Sequence, residues 1–237
     1  MVSLVSRKCA LVCALAVILP CVIGDTANEQ FATDSVLGAR VKAEAPELNA
    51  PAPRLSDEQW DFLNSYGWGD RVRDEIGVWV SVDEQMFRIV QGRDVLFETR
   101  CATAKNGTGS EWNSLKTPLG WHHVVQKVGA GAPRGQVFRG RQATNEIWRP
   151  GDSVAEDLVL TRVLVLTGDE PGKNKGGNVD SLARGIYVHG TNAEELIGTP
   201  SSHGCVRLTN GDVVTAFERV PEKTPVLITE RAKPKKR

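Results

Sequence analysis

Residues 185–208, GIYVHGTNAEELIGTPSSHGCVRL, concentrate the reactive side chains of the chain. They hold two of the four histidines, His189 and His203, together with Cys205 and Arg207. A thiol attacks at neutral pH only when a base or a positive charge stands beside it, and His189 can supply the base. Gly204 lets a substrate carbonyl approach the backbone closely. The N–H of Cys205, with those of His203 and Gly204, could then hold a developing oxyanion. The planar fork of Arg207 suits a substrate carboxylate. Plainer readings stand beside these. A lone cysteine is most often a buried hydrophobe, although Ser-His-Gly before Cys205 and Val-Arg-Leu after it fit a core poorly. His189, His203 and Cys205 are zinc-ligand types, but their spacing matches no common finger. Arg207 could merely pair with a surface carboxylate.

Period-two alternation places these groups. In a strand over 186–189, Tyr187 and His189 share one face, and Ile186 and Val188 the other. In a strand over 205–208, Cys205 and Arg207 share a face, while Val206 and Leu208 point to the core. His203 lies two residues before Cys205, about 7 Å along an extended chain, which is poor for a direct hydrogen bond. His189 comes from another segment and can face Cys205 across a strand pair at about 5 Å between Cβ atoms. His189 is therefore expected to be the base. His122 and His123 are neighbours on a strand, so at most one can join the site.

Around this segment the chain reads as mainly β, sandwich-like or barrel-like, with a few short helices. Residues 78–82, 86–90, 94–103, 121–128 and 158–167 read as strands, with a tight turn at Gln91-Gly92. On the third of these, Val95, Phe97, Thr99 and Cys101 are expected on one face, with Cys101 inward. Residues 104–120 and 129–135 read as loops, and 168–184 as a long polar loop of the kind that often acts as a lid. A short helical stretch near 191–197, a helix over 210–219 with Val213, Val214 and Phe217 inward, and a last strand over 225–229 complete the domain. Upstream, Ser56 and Gln59 form a capping box for a short helix ending at Gly67 and Gly69.

His189-Gly190-Thr191, Gly198 and the run Ser202-His203-Gly204-Cys205-Val206-Arg207-Leu208 resemble the signature of the L,D-transpeptidase catalytic (YkuD-like) domain. Lys105-Asn106-Gly107 and Lys116-Thr117-Pro118-Leu119-Gly120 resemble its early loop, so the likeness covers about residues 77–229. The resemblance implies a β-rich domain with Cys205 as nucleophile, His189 as base, the Gly190 carbonyl orienting that base, and His203 as the second histidine. It sets Arg207, Ser202, Gly204 and Tyr187 on the substrate side. It implies attack on the diamino acid carbonyl of a tetrapeptide stem of peptidoglycan and release of terminal D-alanine. The acyl group then passes to an amine on a second stem or a lipoprotein lysine. No metal or cofactor is implied. An L,D-carboxypeptidase using the same acyl-enzyme, or a non-catalytic wall-binding protein, remains as an alternative. Ala102 stands where many relatives carry serine, and 129–184 is long for a minimal domain.

The 237 residues carry 29 basic and 29 acidic side chains, a balance that points away from nucleic acid as a partner. Arg7 and Lys8 precede an apolar run to Gly24, the layout of a secretory signal over residues 1–24. The expected location is the periplasm or cell envelope, with a membrane anchor if the signal stays uncleaved. Cleavage leaves Cys101 and Cys205, which form either a disulfide or one buried and one reactive thiol. Residues 25–76 read as a linker with the short helix, 77–229 as the catalytic domain, and 230–237 as a basic tail.

Overall fold

The computed structural model describes residues 53–232. The signal-like residues 1–24, most of the expected linker and the end of the basic tail lie outside the described residues. No helix among the described residues is long and apolar enough to cross a membrane.

Strands dominate, as the period-two runs predict. They are β1 (Ile76–Ser81), β2 (Met86–Gln91), β3 (Asp94–Arg100), β4 (Gly120–Val128), β5 (Gln136–Arg139), β6 (Gln142–Ile147), β7 (Val159–Gly168), β8 (Tyr187–Gly190), β9 (Val206–Leu208) and β10 (Pro225–Thr229). The helices are α1 (Asp57–Asn64), α2 (Trp68–Val72) and α3 (Asn210–Arg219). Neighbours run β3-β2-β1-β10-β4-β7, and β8 then pairs β7 and β9. Ala102 and Arg207 exchange both backbone hydrogen bonds at 2.9 Å, joining β9 to the chain just after β3. The sheet thus curls until its two ends meet at this bridge, although β3 itself pairs only with β2 among the named strands.

Inside the curled sheet lie Val78, Val80, Phe87, Ile89, Leu164, Leu166, Val188, Val206, Leu208 and Ile228. The buried face of α3, Val213, Ala216 and Phe217, packs into the same core, while Val214 is only half-buried. A second core covers the outer face of β1, where Trp79 meets Leu63, Trp68 and Val72. Residues 55–72 are therefore not a loose linker end. Each fully buried side chain there contributes about 1.5–3 kcal/mol. The capping box forms as expected, with Ser56 and Gln59 exchanging bonds of 3.2 and 3.0 Å. α1 ends earlier than expected, with Ser65 as its C-cap; Gly67 caps the start of α2 instead, and Gly69 lies inside α2.

Two expectations fail locally. Val95 does not share a face with Phe97 and Cys101. Register slips between Ile89 and Val90, which pair with Phe97 and Val95, so Leu96 is the extra residue of a bulge. Val95 then joins the outer core, while Phe97 and Cys101 serve the inner one. Cys101 is fully buried, and burial pushes its thiol to about 12. The β5–β6 hairpin falls in a stretch without a predicted element.

Candidate active site

The strands bring the predicted groups to one face. β8 and β9 run parallel with Val188 opposite Val206, His189 opposite Arg207 and Gly190 opposite Leu208. Aliphatics fill the core side, and Tyr187, His189, Cys205 and Arg207 share the other. The register corrects one detail: Arg207 stands directly across from His189, and Cys205 lies on the diagonal.

His189 is buried, and its Nδ1 lies 2.7 Å from the Gly190 carbonyl. A carbonyl only accepts, so Nδ1 carries the proton and Nε2 is left as a proton acceptor. Burial holds the imidazole below its usual range, which keeps it neutral. Two features of β7 and α3 fix this carbonyl. Three residues of β7 pass one step of β8, since Leu160 pairs Gly190 and Val163 pairs His189. The bulged Thr161 adopts φ 71° and donates to Asn210 Oδ1 at 2.5 Å. A Cβ on Gly190 would stand 2.4 Å from that same Oδ1, so only glycine fits.

The turn 202–205 is built by one hydroxyl. Ser202 Oγ accepts from the Gly204 N–H at 3.1 Å and donates to the Cys205 carbonyl at 2.7 Å. Ser202 is buried, and its hydroxyl is committed to the turn in place of the expected substrate contact. Gly204 has φ 136°, and its carbonyl accepts from Thr117 Oγ1 at 3.0 Å. Thr117 also accepts from the Ala104 N–H at 2.9 Å, which ties the early loop to the nucleophile turn.

Cys205 is half-buried, and its Sγ donates to the Gly185 carbonyl at 3.3 Å. Burial pushes the thiol up to about 11, against the Tyr187 N–H and the charges of Arg207 and Arg184, which pull it down; Asp157 adds to the rise. Burial likewise raises the half-buried Tyr187 phenol. Thiol and imidazole are therefore each neutral at rest. Both Cys101 and Cys205 are free.

Three further residues reach the site without having been singled out. Asp157 lies 3.0 Å from Arg207 Nη1 and 3.3 Å from His203 Nδ1. Arg184 reaches the Lys116 carbonyl at 2.7 Å and lines a small recess with Trp112, Leu115 and His203. Thr117 is part of the quoted early-loop motif, but spacing alone assigns it no partner.

The other two histidines serve elsewhere. His123 faces Asp169 at 2.7 Å. His122 is fully buried between the Gly120 carbonyl and Ser181 Oγ, each at 3.0 Å, and burial lowers it to about 4. The unfolded chain thus takes up a proton below about pH 6.5 that the folded one refuses until about pH 4. Native stability falls as pH drops through that window, by about 3 kcal/mol from this residue alone. Urea unfolding at pH 7.5 and pH 4.5 should show the loss, and His122→Gln should flatten it. An equal pH slope in wild type and variant counts against the assignment.

The family described as the L,D-transpeptidase catalytic domain (YkuD) matches residues 75–228. YqjB of Bacillus subtilis is 50% identical over 46 residues, 19% of this chain and 26% of YqjB. The Escherichia coli K12 protein named "Probable L,D-transpeptidase YbiS" is 56% identical over 45 residues, 19% of this chain and 15% of YbiS. The match to YciB of Bacillus subtilis runs at 28% over 156 residues, 64% of this chain and 66% of YciB. The matches thus span less than two thirds of the length of these relatives. Among solved structures, L,D-transpeptidase 3 from Mycobacterium tuberculosis, crystallised with a faropenem-derived adduct, aligns at TM-score 0.42 and 17% identity over 65% of this chain and 60% of its own. With its family match covering more than half of its length, the chain belongs to the L,D-transpeptidase catalytic domain family.

Proposed function

We propose that this protein is a peptidoglycan L,D-transpeptidase with Cys205 as nucleophile and His189 as general base. The observation that carries the reading is the shared face: the neutral imidazole on β8, the guanidinium on β9 and the thiol on the residue just before β9 lie on one side, with His189 Nδ1 tied to the Gly190 carbonyl. The Cys205 proton passes to His189 Nε2 as sulfur attacks the diamino acid carbonyl of a tetrapeptide stem. With the Gly204 N–H already taken by Ser202, the N–H groups of His203 and Cys205 are left to meet the oxyanion. Collapse returns the proton to the leaving D-alanine and leaves a thioester. An amine, on a second stem or on a lipoprotein lysine, then attacks the thioester carbon, loses its proton to His189 and displaces sulfur. Tyr187 and Gly204 shape the substrate side, while the enclosed Arg207, paired with Asp157, acts on the sulfur through its charge rather than as the open carboxylate fork expected from its sequence position. The signal-like residues 1–24 support action outside the cytoplasm, where peptidoglycan lies.

Incubation of the protein with defined tetrapeptide-stem muropeptides, read by mass, tests this. Cross-linked dimers with one D-alanine released per link are the expected products. Tripeptides alone point to the hydrolytic alternative, and unchanged tetrapeptide overturns the reading.

A further inference from the structure

Asp157 sits just before β7, at the end of the segment that follows the β5–β6 hairpin. Its carboxylate meets the nucleophile segment twice, with Oδ1 accepting from Arg207 Nη1 at 3.0 Å and Oδ2 lying 3.3 Å from His203 Nδ1. Those partners lie two residues after and two residues before Cys205. One amide grips the backbone on both sides of Asp157. Asn192 Nδ2 donates to the Glu156 carbonyl at 2.9 Å, and Asn192 Oδ1 accepts from the Leu158 N–H at 2.9 Å. Asn192 itself follows Gly190 by two residues, so this clamp ties Asp157 to the strand that carries the base.

Arg207 depends on this contact. Its side chain is 3% exposed, and its Nε and Nη2 have no partner among the described residues. Asp157 supplies the carboxylate of its only ion pair among those residues. An enclosed guanidinium with a single anchor loses both its counter-charge and its direction when the anchor goes. His203, with two thirds of its side chain exposed, likewise has Asp157 as its side-chain partner.

We propose that Asp157 is a positioning residue of this site, fixing Arg207 and His203 on the two sides of Cys205, with Asn192 presenting its carboxylate. The inference rests on Cys205 being the nucleophile. The Asp157 charge also acts on the sulfur, since it opposes the thiolate that Arg207 and Arg184 favour. Removing the charge and removing the aim therefore leave different signatures.

The test compares full-length wild type with Asp157→Asn, which keeps an acceptor for Arg207 but loses the charge, and with Asn192→Ala, which keeps the charge but frees the backbone. Iodoacetamide labelling of Cys205 at pH 8 is followed by peptide mass, with buried Cys101 as a reporter of unfolding. Turnover of a tetrapeptide-stem muropeptide is measured alongside. Asp157→Asn should label Cys205 about threefold to tenfold faster, on the scale of up to one pKa unit, while Cys101 stays protected. Its turnover should fall about tenfold or more, with a raised KM, from misplaced groups. Asn192→Ala should lose turnover in the same way with Cys205 labelling within about twofold of wild type. Asp157→Asn turnover within twofold of wild type, or no faster labelling while Cys101 stays protected, overturns the proposal. So does exposure of Cys101 in both variants, which marks Asp157 as a support of the fold. If wild type leaves the stem untouched, the proposed function fails, and the labelling contrast between the two variants still decides the role of Asp157.

Discussion

Under the proposed function, Cys205→Ser is expected to abolish acyl-enzyme formation while the fold stays intact. A serine hydroxyl occupies the same place and can donate to the Gly185 carbonyl that now accepts from the thiol. The stability change should stay within about 1 kcal/mol, because no cavity or unpaired polar group is created. Chemistry suffers far more. The thiol's own pKa is already raised to about 11, and an alcohol is harder still to ionise. A single neutral imidazole beside it is a weak remedy for the loss of sulfur's intrinsic nucleophilicity. The expected drop in turnover is on the order of 10⁶-fold, the scale seen when a nucleophile that acts as a unit with its base is removed. Intact-protein mass after mixing with tetrapeptide stem should show an adduct for wild type and none for the variant, with superimposable far-UV circular dichroism. An adduct of equal yield on Cys205→Ser would falsify the assignment.

Replacing His189 should cost the next largest amount, a factor of about 10²–10⁴ in turnover. The structure sharpens how this loss depends on pH. Burial lowers the imidazole and raises the thiol, so the proton rests on sulfur across the neutral range. With Cys205 as nucleophile, as proposed, His189 is expected to take that proton during attack rather than to stabilise a standing thiolate. Two consequences can be measured. Alkylation of wild-type Cys205 should climb steadily toward alkaline pH, without a plateau between pH 5 and pH 7. Turnover should persist at pH values where an ordinary histidine would already be protonated, because the folded imidazole takes up its proton only at lower pH. His189→Gln keeps a donor for the Gly190 carbonyl and avoids a large cavity, so its loss reads the base and not the packing. A reactive plateau at acid pH in wild type, absent in His189→Gln, would show a preformed ion pair and contradict a thiol and imidazole each neutral at rest.

Much of the fold was legible because its apolar pattern is local. Asn210–Arg219 and Pro225–Thr229 stand where their periodicity places them. The faces of residues 186–189 and 205–208 followed from alternation alone, since Ile186, Val188, Val206 and Leu208 all enter the inner core. The β5–β6 hairpin was not legible. Apart from a half-buried Thr144, every residue of Gln142–Ile147 is exposed, so the strand carries no apolar period to read. The bulge at Leu96 escaped because strand alternation assumes an unbroken ladder. Within the site, residue types announced Cys205, His189 and Arg207, but pairing did not. That Arg207 and not Cys205 stands opposite His189 depends on a register set by the whole sheet. Asp157 was invisible for the same reason, as its partner Arg207 lies 50 positions along the chain and no motif surrounds it.

The curled sheet also dictates an order of events in time. β10 lies between β1 and β4, and its parallel pairing joins Val78 to Val226. The inner core cannot be sealed until the segment that ends at Thr229 has been made and inserted. Pairings this distant in the chain form late, because loop closure is costly before long-range contacts repay it. The seam at Ala102 and Arg207 carries the nucleophile turn, so a partly made or partly folded chain holds Cys205 without its completed surroundings. Under the proposed function, directed catalysis is then the final property the folding chain acquires, while the thiol of an unfinished molecule lacks the burial that raises it and is left open to indiscriminate alkylation and oxidation.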